Sequence, residues 1–162
     1  PVAEQCQYNM FNRDKIESEY VPLFNNAKMG TTVWSPLAGG MLSGKYLGEI
    51  PQDSRAGVSA IGKALFYDPY MAEGKKDRTI SIIKSLSEVA AEVNASLPQL
   101  ALAWVLANQD VSTAIIGASR VSQIDDNVKA VALYKSLSPD VLSRIETILG
   151  NRPAPAMNWK SF

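Results

Sequence analysis

The sequence has no histidine, one cysteine and no net charge: Lys plus Arg and Asp plus Glu each total 16 in 162 residues. Without imidazole there is no histidine-based triad, general acid or metal ligand. The lone thiol of Cys6 can neither close an internal disulfide nor build a multi-thiolate zinc site. Balanced charge argues against a nucleic-acid surface while leaving room for a local anion site. No apolar run approaches the roughly 18 residues of a membrane span. The opening PVAEQCQYNM lacks the basic region, apolar stretch and cleavage site of a secretory signal, so a reducing, cytosolic setting is expected.

What is present suits one modest domain with a real core, since 46% of the residues are apolar. Three short segments read as buried strands: Val2 to Gln7, Thr31 to Trp34 and Thr113 to Ile116. Helical spacing separates them. Asp14 to Lys28 places Ile16, Tyr20, Leu23, Phe24 and Ala27 three and four apart, with Pro22 splitting the stretch and Gly30 stopping it. Asp77 to Asn94 carries a stripe of Ile83, Leu86, Ala90 and Val93. Ser96-Leu97-Pro98-Gln99 has capping-box spacing and opens a helix that ends near Asn108. Ser119 to Ala132 repeats Ile124, Val128 and Val131 on one side. Ser138-Pro139-Asp140 starts a last helix, ended by Gly150.

Strands alternating with helices predict βαβ units and a parallel sheet with helices outside. Gly44 to Lys76 shows little periodicity and reads as a long, functional or irregular loop. The tail after Arg152 is expected to lack regular structure.

Two segments carry candidate chemistry. Trp34-Ser35-Pro36-Leu37-Ala38-Gly39-Gly40-Met41-Leu42-Ser43-Gly44-Lys45 leaves a strand with a hydroxyl, small residues and a lysine. That pattern suits either a diphosphate cradle or an ordinary Gly/Pro turn with a solvated lysine. Gly117-Ala118-Ser119-Arg120-Val121-Ser122-Gln123 joins a strand end to a helix start. There Ser119 and Arg120 could meet a phosphate, or could be an N-cap and a surface charge. Gln123 and Asn127, four apart, share a face. Adjacent Asp125 and Asp126 point apart and read as early-turn dipole partners, not as an acid and base. Lys75-Lys76-Asp77-Arg78 reads as a solvated helix entry, and Cys6 and Trp104 as core.

Taken in order, EQCQYNMFNR, TVWSPLAGGMLSGKY, SLPQLALAW, IIGASRVSQIDDN and ILGNRP resemble the aldo-keto reductase superfamily, most closely its voltage-gated potassium channel beta subunits. The resemblance covers nearly the whole chain and implies an α/β fold, the C-terminal half of a (β/α)8 TIM barrel, with the three strands as its sixth, seventh and eighth. Residues 1–152 would form the NADP(H)-binding side and 153–162 an irregular tail. By resemblance, Gln5 would bond the nicotinamide carboxamide and Trp34 would pack on the nicotinamide face. Ser35, Pro36, Leu37, Ala38, Gly40 and Lys45 would line the diphosphate. Arg55, with Gly117, Ser119 and Arg120, would hold the adenosine 2′-phosphate, and Gln123, Asp126 and Asn127 would contact the adenine end. Two positions depart from the channel subunits: Asp53 stands for a tyrosine and Gly39 for a cysteine.

The family's Asp, Tyr, Lys and His tetrad comes from the first half of the barrel and cannot be assigned to this sequence. Three expectations follow. The chain is the cofactor-binding part of an NADPH-dependent carbonyl reductase, inactive alone. Or it is a non-catalytic regulatory subunit that meets the cytoplasmic domain of a potassium channel, peripheral at the membrane. Or it is an incomplete gene product that self-associates or pairs with the missing N-terminal half. No nucleic-acid partner, metal or membrane span is expected.

Overall fold

The computed structural model describes residues 1–155. Its sheet has three parallel strands in the order β1 (Ala3–Gln7), β2 (Gly30–Trp34) and β3 (Thr113–Ala114). Gln5 pairs with Thr32 and Gln7 with Trp34, while Thr32 and Val33 pair with Thr113 and Ala114. β3 is shorter than its apolar run suggests, although the amide of Ile115 still donates to the Val33 carbonyl at 2.8 Å. Because successive side chains alternate across a strand, Cys6, Thr31 and Val33 are buried under helices while Gln5 and Trp34 emerge on the other face. Among the described residues that second face carries no helix and the three strands leave both outer edges unpaired, so the assembly is a partial (β/α) barrel rather than a closed one.

After β1 comes a π turn, Lys15–Glu19, and then α1 (Val21–Ala27), with Pro22 in the first turn where its missing amide costs nothing. Lys28, at φ 51°, ends α1; Gly30 is the first residue of β2 and not the helix stop that the sequence suggested. A 3-10 segment, Ala38–Ser43, follows β2.

Gly44 to Lys76, expected as a loop, contains two short helices, α2 (Ala60–Phe66) and α3 (Asp68–Met71). Ser59 caps α2 by accepting from the Gly62 amide at 2.9 Å, and Pro69 sits in the first turn of α3. Local capping starts these helices, while the apolar pair on α2, Ile61 and Leu65, stays exposed. α4 (Lys76–Glu92) and α5 (Leu97–Ala107) follow, and α5 opens with the expected capping box of Ser96 and Gln99.

The helix read from Ser119 to Ala132 is two helices, α6 (Val121–Asn127) and α7 (Ala130–Leu133). Its apolar stripe does not enter the core: Ile124, Val128 and Val131 are 47%, 53% and 52% exposed. The other side does the packing, through Asn127, Ala130 and Leu133 toward α5. α8 (Pro139–Leu149) begins at Ser138, as expected, and ends at Gly150, whose φ of 54° suits glycine.

The core lies wholly on the helix side of the sheet. Val33, Met41, Leu42, Ile83, Leu86, Leu100, Ile145 and Leu149 are all essentially inaccessible. No single helix among the described residues is long and apolar enough to cross a membrane. Residues 153–155 have no regular structure, although the Ala154 carbonyl accepts from Ser18 Oγ at 2.8 Å. The rest of the expected tail, 156–162, lies outside the described residues.

Candidate functional site

Parallel strands bring their following loops to one end of the sheet, so the loops after β2 and β3 are neighbours. The β2 loop is wound in a conformation that side chains normally avoid. Ser35 and Ala38 have φ of 55° and 49°, and Gly39 and Gly40 have 66° and 103°. Non-glycine residues in this region cost on the order of 1–2 kcal/mol each and persist where the surroundings hold them. The turn is closed by Ala38 N donating to the Ser35 carbonyl at 2.9 Å and Gly40 N donating to the Leu37 carbonyl at 2.9 Å.

Lys45 folds back on this turn. A Cβ at Gly40 would lie 2.5 Å from Lys45 Cε and 2.8 Å from its Nζ, so the absence of a side chain there is what lets the ammonium approach the backbone. A Cβ at Gly39 would collide with the Phe66 ring, which α2 lays over the same turn. On that ring stacks the guanidinium of Arg55, 5.2 Å from the centroid. Arg55 is also beside the β3 loop, its Nη2 being 3.4 Å from where a Gly117 Cβ would stand. The β3 loop answers with Arg120, 3.9 Å from Asp53. The 44–76 segment thus links the two strand-end loops and brings Arg55 to Gly117. Phe66, given no role from sequence, is the side chain that joins them; nothing in its neighbours Leu65 and Tyr67 marks it out.

At the start of α6, Gln123 Oε1 accepts from the amides of Ser119 (2.8 Å) and Arg120 (3.2 Å). Arg120, not Ser119, is the N-cap residue. Asp126 sits in the last turn of α6, so it does not serve as an early-turn dipole partner of its own helix. Its carboxylate instead reaches Ser96 Oγ (3.1 Å) and Gln99 Nε2 (2.7 Å) at the N-terminus of α5, where a negative charge is favoured. Asn127 is buried between these helices. Gln5, in the middle of β1, and Trp34, at the end of β2 from which its loop departs, are exposed on the helix-free face of the sheet. Pro36 and Ala38 are buried, leaving their backbone to face the loop. Cys6 is core, and burial pushes its thiol up, away from nucleophilic use. No cluster of three or more metal-ligating side chains exists among the described residues.

A second polar centre, unreadable from sequence, lies on the helix side. Arg13 is 3% exposed; it donates to Glu17 through Nε (2.8 Å) and Nη2 (2.6 Å), to Glu146 through Nη2, and to Asn151 through Nη1 at 3.1 Å. Burial opposes its charge, but the two carboxylates outweigh that and hold its pKa above the ordinary value. The guanidinium lies 5.0 Å over the Trp104 ring, which stacks on Tyr8. Tyr8 donates to Glu17 at 2.7 Å and accepts from Asn108 at 3.0 Å. Trp104 is packing, as read from sequence, but packing on an ion-pair network. An open cleft of about 520 Å³ borders it, and none of the β2 or β3 loop residues lines that cleft.

Known proteins resemble this chain over most of its length. It is 40% identical over 161 residues to a protein named "Probable voltage-gated potassium channel subunit beta" from Oryza sativa subsp. japonica, covering 99% of this chain and 47% of that one. It is 42% identical over 154 residues to a protein of the same name from Arabidopsis thaliana, covering 94% and 45%. A relative from Schizosaccharomyces pombe, named "Putative voltage-gated potassium channel subunit beta", is 42% identical over 153 residues, covering 94% and 43%. The chain therefore spans less than half the length of each of these relatives. The profile of the aldo/keto reductase family matches residues 1–149, the whole of the partial barrel from β1 to α8. With that match over most of its length, the chain belongs to the aldo/keto reductase family.

Proposed function

We propose that this chain is the NADP(H)-binding half of an aldo/keto reductase barrel, with residues 1–152 forming the nucleotide side and 153–162 a tail. The observation that supports this reading is the meeting of three cations from distant positions around two strand-end loops: Lys45 on the Gly40 turn, Arg55 beside Gly117, and Arg120 at the start of α6. Their donors fit a dinucleotide carrying an extra phosphate: an ammonium at a turn with close backbone approach suits the diphosphate, and two guanidiniums suit a 2′-phosphate monoester.

In this reading Ser35, Pro36, Leu37, Ala38, Gly40 and Lys45 hold the diphosphate. Arg55, Gly117, Ser119 and Arg120 hold the 2′-phosphate. Gln123, Asp126 and Asn127 border the adenine, and Gln5 on β1 and Trp34 at the end of β2 orient the nicotinamide. Gln123 Oε1, now bonded to the Ser119 and Arg120 amides, is the acceptor that a phosphate oxygen would replace. NADPH, when bound, supplies a hydride to a carbonyl. The proton donor would come from a complementing segment carrying the family's tetrad, either upstream or on another chain. That segment would cover the helix-free face of the sheet and the apolar stripe of α6 and α7, so this chain alone reduces nothing.

Titration of NADPH fluorescence tests the reading. The chain should bind NADPH, and Lys45→Ala and Arg120→Ala should each weaken binding about tenfold, the effect of losing one charge-assisted contact. Unchanged affinity in both variants would sink the proposed site. Reduction of an aromatic aldehyde by the chain alone would overturn the need for a complement.

A second reading, favoured by the names of the plant relatives, is a regulatory subunit that meets the cytoplasmic side of a potassium channel. Co-purification with a channel cytoplasmic domain, unaffected by Lys45→Ala, would favour it over an enzymatic role.

A further inference from the structure

We infer that Asn9 is a positioning residue of the nucleotide site, its buried carboxamide fixing the Ser35 carbonyl and with it the turn that receives the diphosphate. The inference rests on the nucleotide-binding reading above and extends it to a side chain outside the two loops.

Asn9 is fully buried, between Tyr8 and Met10, which are themselves inaccessible. An unpaired amide there would cost on the order of 1–3 kcal/mol, so its bonds define its purpose. Oδ1 accepts from the amides of Phe11 (2.9 Å) and Asn12 (3.0 Å), which holds the chain in a tight turn just past β1. Backbone bonds between Asn9 and Asn12 close the same turn, at 3.1 and 3.0 Å. With Oδ1 committed, Nδ2 is left pointing at the next strand, where it donates to the Ser35 carbonyl at 3.0 Å.

That carbonyl is the hinge of the β2 loop. It also accepts from Ala38 N, and it belongs to a serine at φ 55° with Ala38 at 49° three residues on. Two such residues stay put only if something outside the loop over-determines them. Asn9 is that outside contact, one step beyond the strand ladder, which ends with Tyr8 N donating to the Trp34 carbonyl at 3.4 Å. The position demands a group that donates on one side and accepts on the other. Asn9→Asp keeps the shape and the two acceptor bonds but, as a carboxylate, sets an oxygen against the Ser35 oxygen with no proton to share.

Two measurements on the full chain test this. In amide hydrogen exchange without nucleotide, Asn9→Asp should make Ala38 and Gly40 exchange about tenfold faster than in wild type, with α4 and α5 unchanged. Asn9→Ser, which leaves a local acceptor but falls short of Ser35, should do the same and serves if the aspartate variant does not fold. Exchange at Ala38 and Gly40 equal to wild type would overturn the inference, whatever the chain binds. In binding, Asn9→Ser should raise the Kd for NADPH about tenfold while leaving that for 2′,5′-ADP, which has no diphosphate, within about twofold. An equal loss of both ligands would mean that Asn9 merely supports the fold, and would also overturn it. A wild-type chain that binds neither ligand would instead refute the nucleotide reading, and the exchange result alone would then decide the role of Asn9.

Discussion

Arg13 and Glu146 stand 133 residues apart in sequence, yet Nη2 of the arginine donates to both carboxylate oxygens of the glutamate at 2.9 Å. This contact ties the turn after β1 to α8, and Asn151 extends it by bonding both Arg13 and the Met10 carbonyl. The first and last thirds of the chain are joined by charge as well as by apolar packing.

Removing the arginine strands two partly buried carboxylates. Arg13→Ala should therefore cost about 3–5 kcal/mol of stability, the range for breaking a buried pair from one side. Glu146→Gln, which keeps an acceptor and leaves Glu17 in place, should cost less. Urea unfolding of the three proteins checks the order, and equal midpoints would show the network to be energetically idle.

The Tyr8 phenol should give the fold an alkaline limit. Burial first, and then the Glu17 carboxylate, raise its pKa above the ordinary 10.0. A group whose folded pKa is raised contributes stability that is complete below its unfolded value and is lost as pH rises past it. Stability should thus hold to about pH 10 and decline above it. Tyr8→Phe should flatten that decline, at a cost near neutrality of about 1–3 kcal/mol for the bonds to Glu17 and Asn108. Thermal melts from pH 8 to 11 measure both effects.

Selectivity for the extra phosphate should rest on the β3 loop. Arg120→Ala should weaken NADPH about tenfold and leave NADH unchanged, since only the former carries the 2′-phosphate. Asp53, 3.9 Å from Arg120 in an exposed pair, competes for that guanidinium. Asp53→Asn should therefore tighten NADPH by about two- to fivefold, the modest worth of a surface pair. Parallel titrations with the two nucleotides decide the matter.

Gly40→Ala should fail twice. The backbone is at φ 103°, and the new methyl would lie 2.5 Å from Lys45 Cε. A stability loss of about 1–3 kcal/mol is expected, with displacement of Lys45 and weaker NADPH binding. Gly48→Ala, with nothing within 4 Å, should change neither and serves as the control.

The strands and the helices with strong caps were legible because the causes are local. Short apolar segments bounded by turn residues marked β1 and β2, and Ser96 to Gln99 marked the start of α5. The two helices of the 44–76 segment escaped because their signals are single caps, Ser59 and Pro69, with only the short pair Ile61 and Leu65 as apolar spacing. Periodicity also misled at Ile124, Val128 and Val131: it identifies one apolar side of a helix but not whether anything covers it. The loops with Lys45 and Arg120 were visible as segments, whereas the closeness of Arg55 to Gly117 depends on a fold-back of the intervening chain. Asn9 was in plain view, a polar residue in the run from Cys6 to Phe11, but its partner is 26 residues away. Arg13 needed a glutamate from the far end of the chain.

The sheet is directional, and its two outer strands are unlike. Among the described residues β1 and β3 each pair on one side only, and both run the same way. The free side of β3 in one molecule is thus complementary to the free side of β1 in the next, a head-to-tail fit that closes into a ring where the curvature of the sheet brings the last edge back to the first. With both edges bare, association through them should rise with protein concentration, so a segment that pairs with either edge would act as a terminator of self-association.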